Sequence, residues 1–423
     1  MTSTLDHLPD GGRVVIIGGG PGAVACALAL QRMASQMGQA VHITLLEGKQ
    51  FAGDRHYNQC AGVLSPPVAQ LLEEQLGVPF PHHLSRVRIP GYVLHAANEQ
   101  IILEDKGEPA IALRRIQFDA YMLESAVQRG IQLIAARAVD LEFHADRVVV
   151  YTENAPVEAD VVVGAFGLDA GSAAMFSRAV PYRPPQALSS VVTKYHPDPE
   201  SIAAFGSYIH AFLPANRQIE FGAITPKGNH LAINIAGRAV DVNLMQAFLN
   251  DPVVRAVLPS LECAGRYDPN DLRFFKGYFP CSLARGYYGD RYVMVGDAAG
   301  LVRAFKGKGV TSAILTGIRA AHTILQVGIS QAAFAHHYQV ANDDIISDLP
   351  YGHGIRLLTM LLARSGLFRA VLRAARQEPI ARSALFDAVS AHAPYRQVLV
   401  QMLHPRAVLA TLRALAFACS SDP

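Results

Sequence analysis

The chain has 423 residues, of which 51% are hydrophobic and 17% charged, so it can form two or three domains with a large buried core. Its net charge of +2 at pH 7 gives no reason to expect a nucleic-acid partner. Five scattered cysteines without a CxxC pair argue against a disulfide framework and a metal site, and they predict a cytoplasmic protein. The N-terminus lacks a secretory signal pattern, and no apolar run reaches the roughly 18 residues of a membrane span.

The pattern of the sequence changes along the chain and predicts an α/β fold in several parts. Residues 1–180 alternate strand-like and helix-like runs, which is typical of a mostly parallel sheet, and residues 285–350 return to this pattern. Residues 181–284 carry short β-like runs separated by Pro, Asn and Gly. We therefore predict a Rossmann-type dinucleotide-binding domain in two parts, an inserted antiparallel β-sheet substrate domain, and a C-terminal helical region at 351–423.

A glycine-rich motif follows the first predicted strand, in RVVIIGGGPGAVACALAL. The first glycine permits a tight turn, the second lets the backbone approach a pyrophosphate, and the helix that follows favours negative charge at its N-terminus. The strand before the motif and the helix after it are the context that a dinucleotide site requires. The predicted contacts with the cofactor are Gly18, Gly20, Pro21, Gly22 and Ala23.

An acidic residue ends the second predicted strand, HITLLE, at Glu47. A carboxylate at this strand end accepts hydrogen bonds from a ribose hydroxyl. It lies 29 residues after Gly18, and the longer intervening helix and turn account for the spacing. Glu47 therefore strengthens the prediction of a dinucleotide site.

A second motif, RYVMVGDAAGLV, ends a predicted strand in Gly-Asp and precedes another glycine-rich helix start. Asp297 can bind a ribityl hydroxyl, and backbone N–H groups at a helix start stabilise negative charge near the flavin N1/O2 edge. These features favour FAD over NAD. The predicted contacts at the helix start are Gly307, Lys308, Gly309 and Val310.

Four segments, IIGGGPGA, NQCAGVLSP, RRIQFDAYML and VGDAAGLVRAFKGKGV, resemble the flavoprotein hydroxylase superfamily and, within it, the geranylgeranyl reductase family. With the order of the domains, the resemblance covers about 350 residues. It implies an FAD-dependent oxidoreductase.

The resemblance places the loop of Gln59, Cys60 and Ala61 across the flavin ring, with Cys60 facing the substrate cavity. A thiol there can lend a proton during alkene reduction. The alternative is that Cys60 is a small buried hydrophobic residue. His56, a few residues earlier, is a second candidate for a catalytic group.

Two further positions follow from the resemblance. Arg115, four residues before Asp119, would lie near the FAD, or would form only a salt bridge at a helix start. The backbone of Val139 occupies the strand position that contacts adenine in such proteins.

The chain also departs from the family pattern. Phe166 stands where the hydroxylases have Asp, which argues against direct NADPH binding and leaves NAD(P)H or another reductant open as the electron donor. Lys306 and Lys308 replace family loop residues; they either make the flavin edge more positive and hold an acidic substrate nearby, or are solvated loop lysines.

A Tyr-x-Trp-x-Phe-Pro motif of the family has no tryptophan here. The aligned segment contains Tyr208, His210 and Phe212, which would form an aromatic wall for the substrate, or would pack in the core.

The leading interpretation is a reductase of C=C bonds in a hydrophobic, isoprenoid-like substrate, because a long apolar chain suits a protein of this composition and needs few polar contacts to bind. The alternatives are an FAD-dependent monooxygenase, hydroxylase or halogenase-like, that acts on an aromatic or other small substrate, and a non-catalytic electron-transfer flavoprotein with an electron-donor protein as partner.

The C-terminal region differs in charge from the rest of the chain. From Tyr351 onward it carries nine arginines and three acidic residues, a net charge of +6, which leaves −4 on the preceding residues. Basic amphipathic helices here either pack on the body with solvated arginine faces or make a peripheral membrane contact.

Overall fold

The computed structural model describes residues 7–49, 60–96, 98–104, 107–214, 216–259, 272–303 and 308–419. Nineteen strands and sixteen α-helical segments lie in this part of the chain. Within the described residues, no helix combines the length and apolar character needed to cross a membrane.

The strands are β1 (Gly12–Ile17), β2 (Val41–Leu46), β3 (Val63–Leu64), β4 (Ser85–Ile89), β5 (Gly91–Ala96), β6 (Glu99–Glu104), β7 (Ala110–Leu113), β8 (Gln132–Ile134), β9 (Ala138–Phe143), β10 (Val148–Thr152), β11 (Val157–Ala159), β12 (Val161–Gly164), β13 (Ala187–Tyr195), β14 (Ile209–Leu213), β15 (Phe221–Pro226), β16 (Leu231–Gly237), β17 (Phe274–Pro280), β18 (Tyr288–Gly289) and β19 (Tyr292–Met294).

The helices are α1 (Pro21–Met37), α2 (Val68–Gln70), α3 (Arg115–Val127), α4 (Ala170–Ala179), α5 (Pro199–Phe205), α6 (Val242–Leu249), α7 (Pro252–Arg255), α8 (Gly309–Gln326), α9 (Gln331–Ala333), α10 (Gln339–Ala341), α11 (Asp343–Ile346), α12 (Leu349–Arg364), α13 (Phe368–Gln377), α14 (Pro379–Ser390), α15 (Tyr395–Met402) and α16 (Pro405–Cys419).

A six-stranded sheet in the order β18-β19-β12-β1-β2-β8 forms the centre of the first domain. All its pairings are parallel except that of β18 with β19. The strand β1 is buried almost throughout, since apolar residues cover both faces of a parallel sheet. In this sheet β1 pairs with β2 along one edge and with β12 along the other. The order of the strands therefore reverses at β1, and α/β proteins bind ligands at the carboxyl ends of strands at such a point.

A seven-stranded sheet in the order β17-β13-β16-β15-β14-β5-β6 forms the second layer. Its pairings are antiparallel except that of β14 with β5. The strands from residues 187–280 supply most of it, but residues 91–104 contribute β5 and β6. The second layer is therefore built from two segments of the chain, 91–104 and 187–280. The domain boundaries given above stay predictions.

Two three-stranded sheets, β11-β10-β9 and β3-β7-β4, complete the β structure. The strand β3 follows directly on the Cys60 loop and pairs with β7, just before α3. This small sheet packs against the seven-stranded sheet through Ala112 and Ala223, among other residues. It therefore connects the two larger layers.

The C-terminal helices α12 to α16 pack on the edge of the seven-stranded sheet. Arg356 of α12 forms a buried bidentate pair with Glu220, with both N–O distances 2.6 Å. Arg373 and Arg376 of α13 bind Glu99 of β6 at 2.9 and 2.6 Å. The fold-class prediction is confirmed: the protein has a Rossmann-type α/β domain, an inserted, largely antiparallel sheet and a helical C-terminal region.

Candidate dinucleotide site

The glycine loop lies at the carboxyl end of β1. Gly18 has φ of 122°, and a Cβ there would lie 2.4 Å from the carbonyl oxygen of Ala165. Only glycine fits this turn. A Cβ on Gly20 would meet no atom of the described residues within 4 Å, so among them open space borders the backbone just where α1 begins. The loop thus leaves room for a ligand at the N-terminus of a 17-residue helix whose first turn has no acidic residue.

Glu47 at the end of β2 is fixed beside this loop. Its Oε2 accepts a hydrogen bond from the backbone N–H of Gly19 at 2.8 Å, and its Oε1 accepts one from Lys49 at 2.7 Å. Each carboxylate oxygen can accept a second bond. The geometry therefore brings Glu47 and the glycine loop together, as the sequence predicted they should be.

The helices α1 and α8 cross in close contact. A Cβ on Gly22 would lie 3.1 Å from the carbonyl oxygen of Ala313, and one on Gly317 would lie 2.4 Å from that of Gly22. Ala23 is fully buried, and Pro21 occupies the first turn of α1. The small residues of the first motif therefore also set the distance between the two helices.

The second motif forms a turn at the end of β19. Gly296 has φ of 59° and donates its N–H to the Oγ1 of Thr316 at 2.9 Å, which ties the turn to α8. Asp297 follows, and a Cβ on Gly309 would lie 3.8 Å from its Oδ1. Burial raises the pKa of Asp297 to about 6, although Arg115 opposes the shift. The carboxylate thus lies at the N-terminus of α8.

The start of α8 repeats the arrangement of α1. Lys308 caps the helix, Gly309 begins it and Val310 is buried in its first turn. This helix has 18 residues, and its first turn also lacks an acidic residue. Two long helices therefore begin at the carboxyl edge of one sheet, and backbone N–H groups in the first turn of a helix have no partner within that helix.

Arg115 connects the Cys60 loop to α3. Its Nε binds the Oδ1 of Asp119 at 2.7 Å, and its Nη1 lies 3.9 Å from the Cys60 Sγ. Burial alone would lower the pKa of Arg115, but the charges of Asp119, Cys60 and Asp297 raise it. Arg115 therefore forms the salt bridge at the helix start and also reaches Cys60.

Cys60 is exposed rather than a buried hydrophobic residue. Its Sγ accepts a hydrogen bond from the backbone N–H of Gly62 at 3.1 Å. Ala61 is half-buried beside it. The thiol is therefore accessible and is oriented by its own loop.

Lys227, which the sequence did not single out, holds this loop from the second layer. It lies almost fully buried in the turn between β15 and β16, and its ammonium donates to the backbone carbonyls of Ala61, Gly62 and Leu113. Burial lowers the pKa of Lys227 to about 8, and the nearby Cys60 opposes the shift. Its sequence, Pro-Lys-Gly-Asn, is typical of a solvated hairpin turn, so no local signal marked it.

The structure places Phe212 and His210 away from the Cys60 loop. The ring of Phe212 packs in the core under α6, with its centroid 5.5 Å from that of Phe248. His210 lies two residues earlier on β14 and faces the same way, with its ring stacked on His95 at 5.1 Å. Burial lowers the pKa of both histidines to about 4. Phe212 is therefore core packing under α6, and His210 packs between His95 and Phe205 of α5.

Tyr208 also lies apart from the glycine loop, since its hydroxyl donates to Glu104 on the edge strand β6. Val139 is 48% exposed on β9, in a separate three-stranded sheet. His56, Gln59, Lys306 and Gly307 lie outside the described residues.

The other face of the seven-stranded sheet lies on the Cys60 side. Ala223 packs there against Ala112 of β7, and Phe221 shares its face because side chains alternate along a strand. The rings of Phe221 and Phe279 are 6.2 Å apart, and both are half-buried. The alternation in IEFGAIT is the signal that could have identified this face.

Phe166 is buried at the end of β12. Its ring stacks on Phe176 at 5.4 Å and meets Tyr182 edge to face at 6.1 Å. An aromatic cluster therefore surrounds Phe166, the residue that the sequence comparison sets against an Asp of the flavoprotein hydroxylases.

No protein-family model matches this sequence, and no curated protein is significantly similar to it. Solved structures do match its fold. A flavoprotein/dehydrogenase from Cytophaga hutchinsonii has a TM-score of 0.67 at 16% identity, over 97% of this chain and 100% of that one. A geranylgeranyl bacteriochlorophyll reductase-like protein from Thermoplasma acidophilum has a TM-score of 0.62 at 16% identity, over 96% of both chains.

The flavin-dependent brominase Bmp2 has a TM-score of 0.60 at 17% identity, over 92% of this chain and 98% of that one. The chain therefore has the fold of flavoprotein reductases and halogenases. Because the reductase-like protein and the brominase match almost equally well, the fold by itself does not select a reaction.

Proposed function

We propose that this protein is an FAD-dependent oxidoreductase that reduces C=C bonds of a hydrophobic, isoprenoid-like substrate. The observation that carries the proposal is the pairing of two long helix N-termini, those of α1 and α8, at the carboxyl edge of one parallel sheet. Each is accompanied by a carboxylate at a strand end, Glu47 and Asp297. One such unit fits a single nucleotide, whereas two fit a flavin joined to adenosine.

The residues of the first unit fit the adenosine diphosphate half of FAD. The open space at Gly20 admits a pyrophosphate against the N-terminus of α1. Glu47 keeps one acceptor site on each oxygen for ribose hydroxyls, because its backbone hydrogen bonds use only part of its capacity.

The residues of the second unit fit the flavin half. Asp297 would accept a ribityl hydroxyl, and the N–H groups at Gly309 and Val310 would lie against the pyrimidine edge of the ring. Lys308 adds positive charge at this edge. The dipole of α8 favours negative charge at the same place.

Bound FAD would supply the redox chemistry, taking electrons from a reductant and giving a hydride to one carbon of the double bond. The second carbon needs a proton, and the exposed Cys60 thiol is the group that we assign to donate it. Arg115, 3.9 Å from the Sγ, would stabilise the thiolate left behind until water reprotonates it. Lys227 would hold the loop in place during this exchange.

The face of the seven-stranded sheet formed by Phe221, Ala223 and Phe279 would bind the apolar chain of the substrate. Each methylene group buried there contributes about 0.8 kcal/mol. A prenyl chain therefore needs few polar contacts to bind.

A second candidate function, an FAD-dependent monooxygenase, is favoured by the likeness to brominase Bmp2, whose TM-score of 0.60 is close to the 0.62 of the reductase-like protein. The two differ in their use of oxygen. A reductase adds two hydrogens to its substrate without oxygen, whereas a monooxygenase consumes oxygen in proportion to product.

The experiment begins with the reconstituted protein, from which FAD rather than FMN should be released on denaturation. The bound flavin is then reduced with dithionite under anaerobic conditions. Dithionite replaces NADPH because the buried Phe166 offers no carboxylate to a nicotinamide, and it makes the assay independent of the natural electron donor. Polyprenyl compounds should reoxidise the flavin and gain two hydrogens by mass spectrometry. Reoxidation only by oxygen, with hydroxylated or halogenated products, would establish the monooxygenase; no turnover in either assay would indicate an electron-transfer flavoprotein.

A further inference from the structure

The outward face of α12 is apolar. Tyr351, Leu357, Leu358 and Leu361 follow the helical repeat along one side and are exposed, with Leu361 at 65%. Helices of globular proteins usually turn such a stripe towards the core. This stripe has no cover among the described residues.

Exposed apolar side chains also lie on or beside α15 and α16, and α15 packs against both α12 and α16. We define the C-terminal apolar surface by its exposed residues on these helices: Tyr351, Leu357, Leu358, Leu361, Val400, Leu403, Val408, Leu409 and Leu412. With Leu367, they make up ten of the eighteen large hydrophobic side chains that are exposed in the described part of the protein. Such a concentration marks an interaction surface.

Within residues 351–419, the exposed charged side chains are all arginines. Exposed arginines lie among the residues of the C-terminal apolar surface in the sequence, at positions 364, 369, 396, 406 and 413. The acidic residues described in 351–419 are Glu378 and Asp387, and neither is exposed. Arg356, Arg373 and Arg376, by contrast, bind acidic residues of the body and fix the helices in place.

We propose that the C-terminal apolar surface docks this protein on a membrane surface that contains anionic lipids. Leucines between arginines are the composition of helices that lie in the lipid interface, where apolar burial and attraction to anionic headgroups add. A second copy of the chain fits less well, because a symmetric dimer would bring two arginine-rich surfaces together. The proposal is independent of the proposed reaction.

Vesicle flotation of the full-length protein tests the proposal. We expect binding to vesicles of phosphatidylcholine with phosphatidylglycerol, at least about tenfold weaker binding to phosphatidylcholine alone, and weakening by salt. The variant Leu361→Gln/Leu409→Gln/Leu412→Gln should bind about tenfold more weakly or not at all. Val340→Gln, at an equally exposed valine (64%) of α10, is the matched control and should bind like the unmodified protein.

The double variant Arg406→Glu/Arg413→Glu changes only exposed charges and should lose the preference for anionic vesicles while keeping its melting temperature. It keeps the proposal testable if the triple variant does not fold. The proposal is overturned if the unmodified protein does not float with anionic vesicles, or if both variants bind as it does. It is also overturned if the unmodified protein is a dimer in solution that does not bind vesicles and the triple variant is a monomer.

Discussion

Gly22 and Gly317 lie against each other where α1 crosses α8, so closely that a Cβ on Gly317 would be 2.4 Å from the Gly22 carbonyl oxygen and 3.0 Å from the Cys26 nitrogen. Both obstructing atoms belong to the backbone. A side chain at this crossing must therefore push the helices apart, and it would move the two helix N-termini of the candidate site with them.

Gly317→Ala should accordingly destabilise the protein by about 1–3 kcal/mol, as overpacking of a core contact does. Gly354→Ala is the matched control, because Gly354 is also within a helix and a Cβ there meets no atom within 4 Å. There the gain in helix propensity should stabilise by up to about 1 kcal/mol. Thermal unfolding of both variants measures the difference, and equal melting temperatures would mean that the crossing is not tight.

Gly20→Val should abolish flavin binding and leave the fold intact. Gly20 has φ of −76°, which valine can adopt, and a Cβ there would meet no atom of the described residues within 4 Å. Valine would fill the room in which we place the pyrophosphate. Flavin absorbance after reconstitution with FAD measures binding, with Gly354→Val as the control; a normal flavin spectrum in a folded Gly20→Val protein would show that the loop is not the site.

The stability of the flavin-free protein should depend on Asp297. Its pKa of about 6 in the folded protein lies above the ordinary 3.8, so between about pH 4 and 6 the folded protein holds a proton that the unfolded chain has released. The free energy of unfolding therefore falls as the pH rises through this window. Above pH 6 the ionised carboxylate costs up to about 3 kcal/mol.

Asp297→Asn removes this cost, because the amide does not ionise. We expect a higher melting temperature than that of the unmodified protein at pH 8 and little difference at pH 4, with weaker FAD binding at both. Asp343→Asn, at an exposed position, should change neither melting curve. The assignment to Asp297 is wrong if the stabilisation is the same at both pH values.

Cys60→Ser should lower the rate at which substrate reoxidises reduced flavin by about 100-fold or more, the usual range for loss of an acid–base group, and leave FAD affinity nearly unchanged. Serine is close in size, so a side chain that only lined the cavity would give the same rate as cysteine. Cys281→Ser is the control, because the Cys281 thiol interacts with Arg356 rather than with the Cys60 loop. Equal rates in the Cys60 variant would assign the proton to water or to another group, such as His56.

Lys227→Met should release the Cys60 loop, because it leaves the carbonyls of Ala61, Gly62 and Leu113 without their shared donor. Hydrogen–deuterium exchange in residues 60–64 should become faster, with no change in β1 or β2. The exposed Lys276 supplies the control, Lys276→Met. Unchanged exchange in 60–64 would show that the loop is held by its pairing with β7 alone.

The sequence by itself determined the parts whose signals are local. Gly18, Gly20 and Glu47 belong to one strand–turn–helix–strand unit, and the structure brings them together because the parallel pairing of β1 and β2 aligns their carboxyl ends. Asp297 and Gly309 were likewise predictable from the strand before them and the helix after them. The period of hydrophobic residues was enough to predict the α/β fold and the helical C-terminal region.

The tertiary structure decided which sheet face each side chain meets and what lies across from the Cys60 loop. The sequence left open whether His210 and Phe212 form a substrate wall or pack in the core. The register of β14 turns Phe212 towards α6 and His210 towards α5, since a shift of one residue moves a side chain to the opposite face. Lys227 lies 166 residues from Ala61 along the chain, so only the packing of the second layer on the small sheet could reveal their contact. The exposure of the leucines on α12 also depended on packing, because the same periodic pattern is compatible with a helix that faces the core.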